Sequence, residues 1–188
     1  MRIIETTLPG VIIIEPDVFS DNRGFFLESY SQGKLADFGI TDVFVQDNHS
    51  FSQKSGTLRG LHFQRDPHAQ AKLIRCTRGS VLDIAVDIRR GSPTYCRWVS
   101  VELSADNFRQ IYIPAGFAHG YLTLADGAEI LYKASDYYSP DCDRSICWND
   151  PSFAINWGID DPILSDKDRN APLLIYSDNN YTWREKGT

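Results

Sequence analysis

Four side-chain types in the middle and late parts of this chain could together move protons at carbon. His62 lies in Gly56-Thr57-Leu58-Arg59-Gly60-Leu61-His62-Phe63-Gln64, Lys72 in Gln70-Ala71-Lys72-Leu73-Ile74, and Tyr132 in Ile130-Leu131-Tyr132-Lys133. His119 follows in Pro114-Ala115-Gly116-Phe117-Ala118-His119-Gly120-Tyr121. Carboxylates are abundant throughout. A hydrogen beside a ketone is acidic only when the developing enolate oxygen is stabilised. A histidine near neutral pKa suits removal of that proton. A lysine ammonium suits the oxyanion. A carboxylate behind the imidazole fixes its tautomer and steadies the imidazolium. Inverting a stereocentre also needs a proton donor on the opposite face, and a phenol can serve. Singly, each residue has a plainer reading. His62 reads as a core histidine, Lys72 as a strand-end lysine snorkelling to water, His119 and Tyr132 as core, Arg23 as a solvated turn residue and Asp168 as a surface acid. A His, a Lys, a Tyr and one of the many Asp make a complete set for enolisation.

A metal centre is the competing use of the histidines His49, His62, His68 and His119. Metal-binding β-barrels usually place two His one residue apart, and no such pair occurs here. Asp66-Pro67 places a loop between His62 and His68. The spacing argues against a metal site and so against a metal-dependent oxygenase or isomerase.

The elements that must position these groups are strands. Val81–Ile88 puts Leu82, Ile84, Val86 and Ile88 on one face and Val81, Asp83, Ala85 and Asp87 on the other. Trp98–Leu103 alternates likewise. Shorter strands are expected at Val11–Glu15, Gly24–Tyr30, Val43–Gln46, Thr57–Phe63, Lys72–Thr77, Gln110–Ile113, Phe117–Leu124 and Ala128–Tyr132. Turn-forming clusters such as Asp21-Asn22-Arg23-Gly24 and Ala125-Asp126-Gly127 separate them. Helical signals are sparse: Ser31–Phe38, with Ser31 as cap and Gly39 as stop, and one turn at Ser104–Phe108. Many short strands read as an all-β antiparallel sandwich or barrel. Alternation puts Lys72 with Ile74 and Cys76, His119 with Phe117 and Tyr121, and Tyr132 with Ile130 and Ala128. Arg59 and His62 are an odd number of residues apart, so strict alternation sends them to opposite faces. Gly60 between them suits a bulge that redirects one.

The chain has 188 residues, of which 42% are apolar and 23% charged, an ordinary globular composition. One domain over 1–188 is expected, with an irregular tail from about 149 that carries Pro151, Pro162, Pro172, Trp157 and Trp183. The formal net charge of -6 argues against a nucleic-acid binder but leaves room for a local basic pocket. No signal peptide or membrane-spanning run is visible, so a cytoplasmic protein is expected. Cys76, Cys96, Cys142 and Cys147 form no CxxC pair and read as free thiols.

In joint order and spacing the sequence resembles the dTDP-4-dehydrorhamnose 3,5-epimerase family of nucleotide-sugar enzymes. The resemblance runs from Asp21 to about Asp168. It rests on Asp21-Asn22-Arg23-Gly24-Phe25-Phe26-Leu27-Glu28, Val45-Gln46-Asp47-Asn48-His49-Ser50, Gly56–Gln64, Ala69–Leu73 and Ala85–Thr94. It continues through Ile113–Gly120, Tyr132-Lys133, Tyr137-Tyr138-Ser139-Pro140, Trp148-Asn149-Asp150-Pro151 and Leu164-Ser165-Asp166-Lys167-Asp168. The resemblance implies a cupin-type jelly roll, no metal, no cofactor, and a homodimer in which an N-terminal segment completes the neighbour's site. It implies inversion of carbons 3 and 5 of a dTDP-linked 4-keto-6-deoxyhexose. Related enzymes act at one carbon only or on another nucleotide-sugar, and a cupin that merely binds a sugar nucleotide is a further alternative. Carried over by position, His62 resembles the general base, Asp168 its partner, Lys72 the enolate stabiliser and Tyr132 the acid on the far face. His119 resembles a sugar contact, and Arg23 and Arg59 resemble pyrophosphate ligands. Phe26, Glu28, Gln46, Asn48 and Tyr138 resemble residues that hold the nucleotide. Many members carry Glu three residues after the Pro of Tyr-Tyr-Ser-Pro; here that ligand position is Asp143, preceded by Asp141 and Cys142.

Overall fold

The computed structural model describes residues 1–184. Two antiparallel sheets face each other as a jelly roll. The first contains six strands: β1 (Arg2–Glu5), β2 (Ile12–Glu15), β10 (Gln110–Ile113), β7 (Lys72–Arg78), β12 (Ala128–Ala134) and β5 (Gln46–Ser52), in that spatial order. The second contains five: β13 (Asp143–Ser145), β6 (Leu58–Gln64), β11 (Phe117–Thr123), β8 (Ser80–Asp87) and β9 (Trp98–Ser104). A separate hairpin pairs β3 (Val18–Asp21) with β4 (Gly24–Leu27). Helix is confined to α1 (Gln32–Asp37), α2 (Asp166–Arg169) and a 3-10 turn at Leu174–Tyr176.

The strand alternation decides the layers. Val81 and Ala85 of β8 join Ile74, Cys76, Phe117, Tyr121 and Ile130 between the sheets. Ile84, Val86 and Ile88 point the other way, into a second core closed by Phe153, Trp157, Leu174 and Tyr181. The C-terminal segment therefore covers the outer face of the five-stranded sheet. Burying each such aliphatic side chain is worth roughly 1.5–3 kcal/mol. A third cluster packs Leu35 of α1 and Ile40 onto Ile14, Leu73 and Tyr112, on the outside of the six-stranded sheet.

Ser31 caps α1 with its hydroxyl on the Lys34 N–H, as its sequence position suggests. Three local expectations change, the first being that the strand expected at Gly24–Tyr30 ends at Leu27. Ser104–Phe108 is a turn, held by reciprocal bonds in which Ser104 N–H donates to Asn107 Oδ1 and Asn107 N–H to Ser104 Oγ. The expected strand at Val43–Gln46 starts pairing only at Gln46 and runs on to Ser52. All four cysteines are free. No helix among the described residues is long and apolar enough to cross a membrane.

Candidate active site

A cavity of about 480 Å3 opens at one end of the space between the sheets. Lys72 from β7 and Tyr132 from β12 enter it from the six-stranded sheet, and Arg59, His62, His119 and Tyr121 from the five-stranded one. These residues occupy the inward register of their strands. Their apolar strand-mates Ile74, Phe117 and Ile130 fill the closed part of the same interior.

Arg59 and His62 share this cavity because β6 is bulged. His119 pairs with His62, and Tyr121 with Arg59, so three steps on β6 oppose two on β11. Gly60 sits at φ 141, and a Cβ there would lie 2.5 Å from Gly120 Cα. Two glycines thus let the backbones touch where the bulge turns.

The carboxylate beside His62 comes from the tail. Leu58 N–H donates to Ile163 O at 3.0 Å and Ile163 N–H to Gly56 O at 2.8 Å, stitching the tail to the start of β6. Ser165 then starts α2, which puts Asp168 Oδ1 2.5 Å from His62 Nε2. Asp168 is 3% exposed. Burial pushes its pKa up, but hydrogen bonds from His62, Ser165 and the Gly60 backbone outweigh this and hold the carboxyl below its ordinary range. Burial holds the His62 imidazole below its ordinary value in spite of Asp168. A neutral imidazole beside an anionic carboxylate is the form a general base requires.

Lys72 is brought down to about 8 by burial, opposed by the charges of Asp143 and Asp83. Its Nζ lies 6.0 Å from the centre of the Tyr132 ring. Burial raises the Tyr132 phenol, so it keeps its proton at neutral pH. A second buried pair joins His119 Nε2 to Asp83 Oδ2 at 2.9 Å. The other Asp83 oxygen, Oδ1, is buried without a hydrogen-bond partner among the described residues. The remaining histidines pair separately, His49 with Glu129 and His68 with Asp136. Each histidine therefore has a different carboxylate. Among the described residues no group of three or more His, Cys, Asp or Glu converges as an ion would require.

Arg59 is held by Nε to Ser52 Oγ at 3.2 Å and by Nη2 to Phe51 O at 3.0 Å. It has no carboxylate partner among the described residues, so its charge is open to an anion at the cavity mouth. Tyr138, exposed at the rim, lies with its hydroxyl 3.4 Å from Asp143 Oδ2, and Lys167 Nζ binds the same oxygen at 2.5 Å. Gln46 donates to Asn48 Oδ1 at 2.9 Å and accepts the Tyr138 N–H at 2.9 Å. Asn48 Nδ2 is buried and unpartnered among the described residues. Glu28 pairs with Lys34 at 2.8 Å.

Arg23 and Phe26 are not brought to this cavity by their own chain. They lie on the β3–β4 hairpin and line another recess with Phe19, Asp21 and Phe25. Phe26 is 70% exposed, and Arg23 forks onto Asp21. Polar cavity residues not singled out from the sequence include Ser165, Lys167, Tyr121 and Ser50, the last two joined by a 2.8 Å bond between hydroxyls. Alternation with His119 was the available signal for Tyr121, and adjacency to Asp168 for Lys167.

The family model described as dTDP-4-dehydrorhamnose 3,5-epimerase matches residues 5–175. The chain belongs to that family. This epimerase is 56% identical to the dTDP-4-dehydrorhamnose 3,5-epimerase of Salmonella typhimurium over 176 residues, covering 93% of this chain and 96% of that one. The fold of the epimerase is the cupin-like jelly roll of its solved relatives. A Legionella pneumophila dTDP-6-deoxy-D-glucose-3,5-epimerase, crystallised with dTDP-4-keto-L-rhamnose, superposes with a TM-score of 0.93 at 46% identity, covering 98% of this chain and 99% of that one. A 3'-monoepimerase from Streptomyces bikiniensis, in complex with dTDP-quinovose, gives 0.85 at 36% identity, covering 90% and 86%.

Proposed function

We propose that this epimerase converts dTDP-4-dehydro-6-deoxy-D-glucose to dTDP-4-dehydro-L-rhamnose by inverting carbons 3 and 5. The observation that carries the reading is the His62–Asp168 pair facing one cavity with Lys72 and Tyr132. In a gluco-configured chair the hydrogens on carbons 3 and 5 are both axial on one face. One base can therefore reach both positions beside the ketone. His62 takes the proton, and Asp168 steadies the imidazolium. The electron pair moves onto the ketone oxygen, where the Lys72 ammonium stabilises the enolate. Tyr132 returns a proton to the same carbon from the opposite face. The imidazolium then releases its proton to water, and the phenolate regains one, before the second carbon reacts.

Arg59 and Lys167, which both line the cavity, suit the diphosphate, since guanidinium and ammonium groups match phosphate oxygens. Gln46, Asn48, Glu28, Tyr138 and Asp143 are assigned to the nucleotide and the rim, and His119 to the sugar. Asp143 is shorter than the usual Glu and is already engaged by Lys167, so it acts here through that lysine. Arg23 and Phe26 serve a neighbouring copy in a homodimer: the hairpin is exposed, and its own cavity lies elsewhere. The Legionella relative's ligand supports this substrate class for the chain.

The Streptomyces 3'-monoepimerase favours a second reading, inversion at carbon 3 alone. Turnover in deuterated water followed by NMR separates the two. Deuterium at both carbons supports the dual reaction, and label at one carbon only supports the second reading.

A further inference from the structure

The Ser165 hydroxyl makes two contacts with the same neighbouring residue. Its oxygen accepts the Asp168 backbone N–H at 3.1 Å, and its proton is given to Asp168 Oδ2 at 2.9 Å. The opposite carboxylate oxygen, Oδ1, faces His62. A carboxylate held at only one oxygen can turn about its Cβ–Cγ bond. This one is held at both oxygens by different partners, in a site where it is almost fully buried. Ser165 also lines the cavity wall without belonging to the proton-transfer set.

We propose that Ser165 is a positioning residue for the reaction: its hydroxyl locks the Asp168 carboxylate as an anion with Oδ1 turned to His62. The inference rests on the assignment of His62 as base. The hydrogen bond on Oδ2 can form in this direction only while that oxygen is an acceptor. The same serine that starts α2 thus orients the side chain three residues later, and links the tail's local fold to the charge state of the base. A Ser placed to cap a helix and nothing more would have its proton free to point at water.

Losing the hydroxyl has two opposite effects on His62. If Asp168 keeps its place, its anion becomes a stronger acceptor and the imidazole pKa rises. If Asp168 turns away or gains a proton, its pull on the imidazole weakens and the pKa falls. Positioning predicts the second.

The test measures pH profiles of kcat and kcat/KM, with solvent deuterium exchange, for wild type, Ser165→Ala, Ser165→Gly, Ser165→Thr and His62→Ala. Glycine is nearly as good as serine at a helix start, so Ser165→Gly keeps α2 if alanine unfolds it. The expected result is a loss in kcat of about ten- to hundredfold in the Ala and Gly variants. KM should stay within about twofold, the acid limb should move to lower pH, and Ser165→Thr should restore both. An acid limb that stays or moves up, unchanged kcat, or a loss in KM alone overturns the proposal. Exchange that survives in His62→Ala overturns the assignment of the base itself, and this inference with it. A dead His62→Ala beside a wild-type Ser165→Gly overturns the Ser165 role alone.

Discussion

His62 Nε2 and Asp168 Oδ1 meet at 2.5 Å although 106 positions separate them in the chain. One sits on a central strand of the sandwich, the other on a four-residue helix in the tail. Asp168→Asn keeps the side-chain shape but removes the anion that stabilises the imidazolium. Exchange at carbons 3 and 5 should fall about 10²–10⁴-fold, and His62→Ala should lose as much. Nucleotide binding, measured by calorimetry with dTDP, should stay close to wild type in both. Retained turnover in either variant contradicts the assignment.

Lys72 is expected to set the alkaline side of the pH profile. Its ammonium loses a proton near pH 8, since burial has lowered its pKa to about 8. The profile of kcat/KM should therefore fall above about pH 8. Its acid limb should lie below the ordinary imidazole value of about 6.5, because burial lowers His62. Lys72→Arg should move the alkaline limb upward, whatever its cost in rate. A limb unmoved by that substitution would assign it to another group.

The same burial has a stability consequence of definite sign. The unfolded chain holds the Lys72 proton up to about pH 10.4, the folded one only to about 8. More protons are bound in the unfolded state between these values, so this group's contribution to stability improves as pH rises through that window. Lys72→Met should raise Tm at pH 7 and lose that advantage by pH 10. Thermal melts at the two pH values decide it, and a constant difference would count against the buried charge.

The bulge at Gly60 tolerates no side chain. A Cβ would meet Gly120 Cα at 2.5 Å in a backbone at φ 141. Gly60→Ala should destabilise by about 3 kcal/mol or more and abolish exchange, since Arg59 and His62 lose their common face. Gly24→Ala, also at positive φ but with nothing within 4 Å, should cost far less. Urea unfolding of the pair reports the difference.

The hairpin prediction is a complementation. If Arg23 acts in the neighbour's cavity, inactive Arg23→Ala and His62→Ala chains should regain activity when mixed and reassorted. Random pairing leaves about one quarter of the sites intact. No recovery on mixing would put Arg23 outside the neighbour's site.

Much of the scaffold was legible because strand alternation is a local property. Val81–Ile88, Trp98–Leu103 and Gln110–Ile113 declare themselves through apolar residues at every second place. β5 hid for a functional reason. Its inward positions are Gln46, Asn48, Ser50 and Ser52, of which Ser50 lines the cavity and Ser52 braces Arg59, so the polar stretch gives no hydrophobic signal. β13 and α2 are too short for any period to show.

By itself the sequence determined the two-faced strands, the inward register of Lys72, His119 and Tyr132, and the membership that its ordered motifs announce. Each depends on residue type and separation along one strand, which the chain carries locally. Residue type and spacing did not say which of 25 acids stands behind His62; the family resemblance pointed to Asp168, and the tertiary structure is what puts it there, gives Arg59 and His62 a common face and holds Arg23 and Phe26 away from their own cavity. Those outcomes depend on a bulge between two glycines, on a tail stitched to β6 by backbone hydrogen bonds, and on the direction of a hairpin. A carboxylate has no local mark that distinguishes a catalytic partner from a solvated one; only the long-range packing that removes water from Asp168 and brings it to His62 makes that difference.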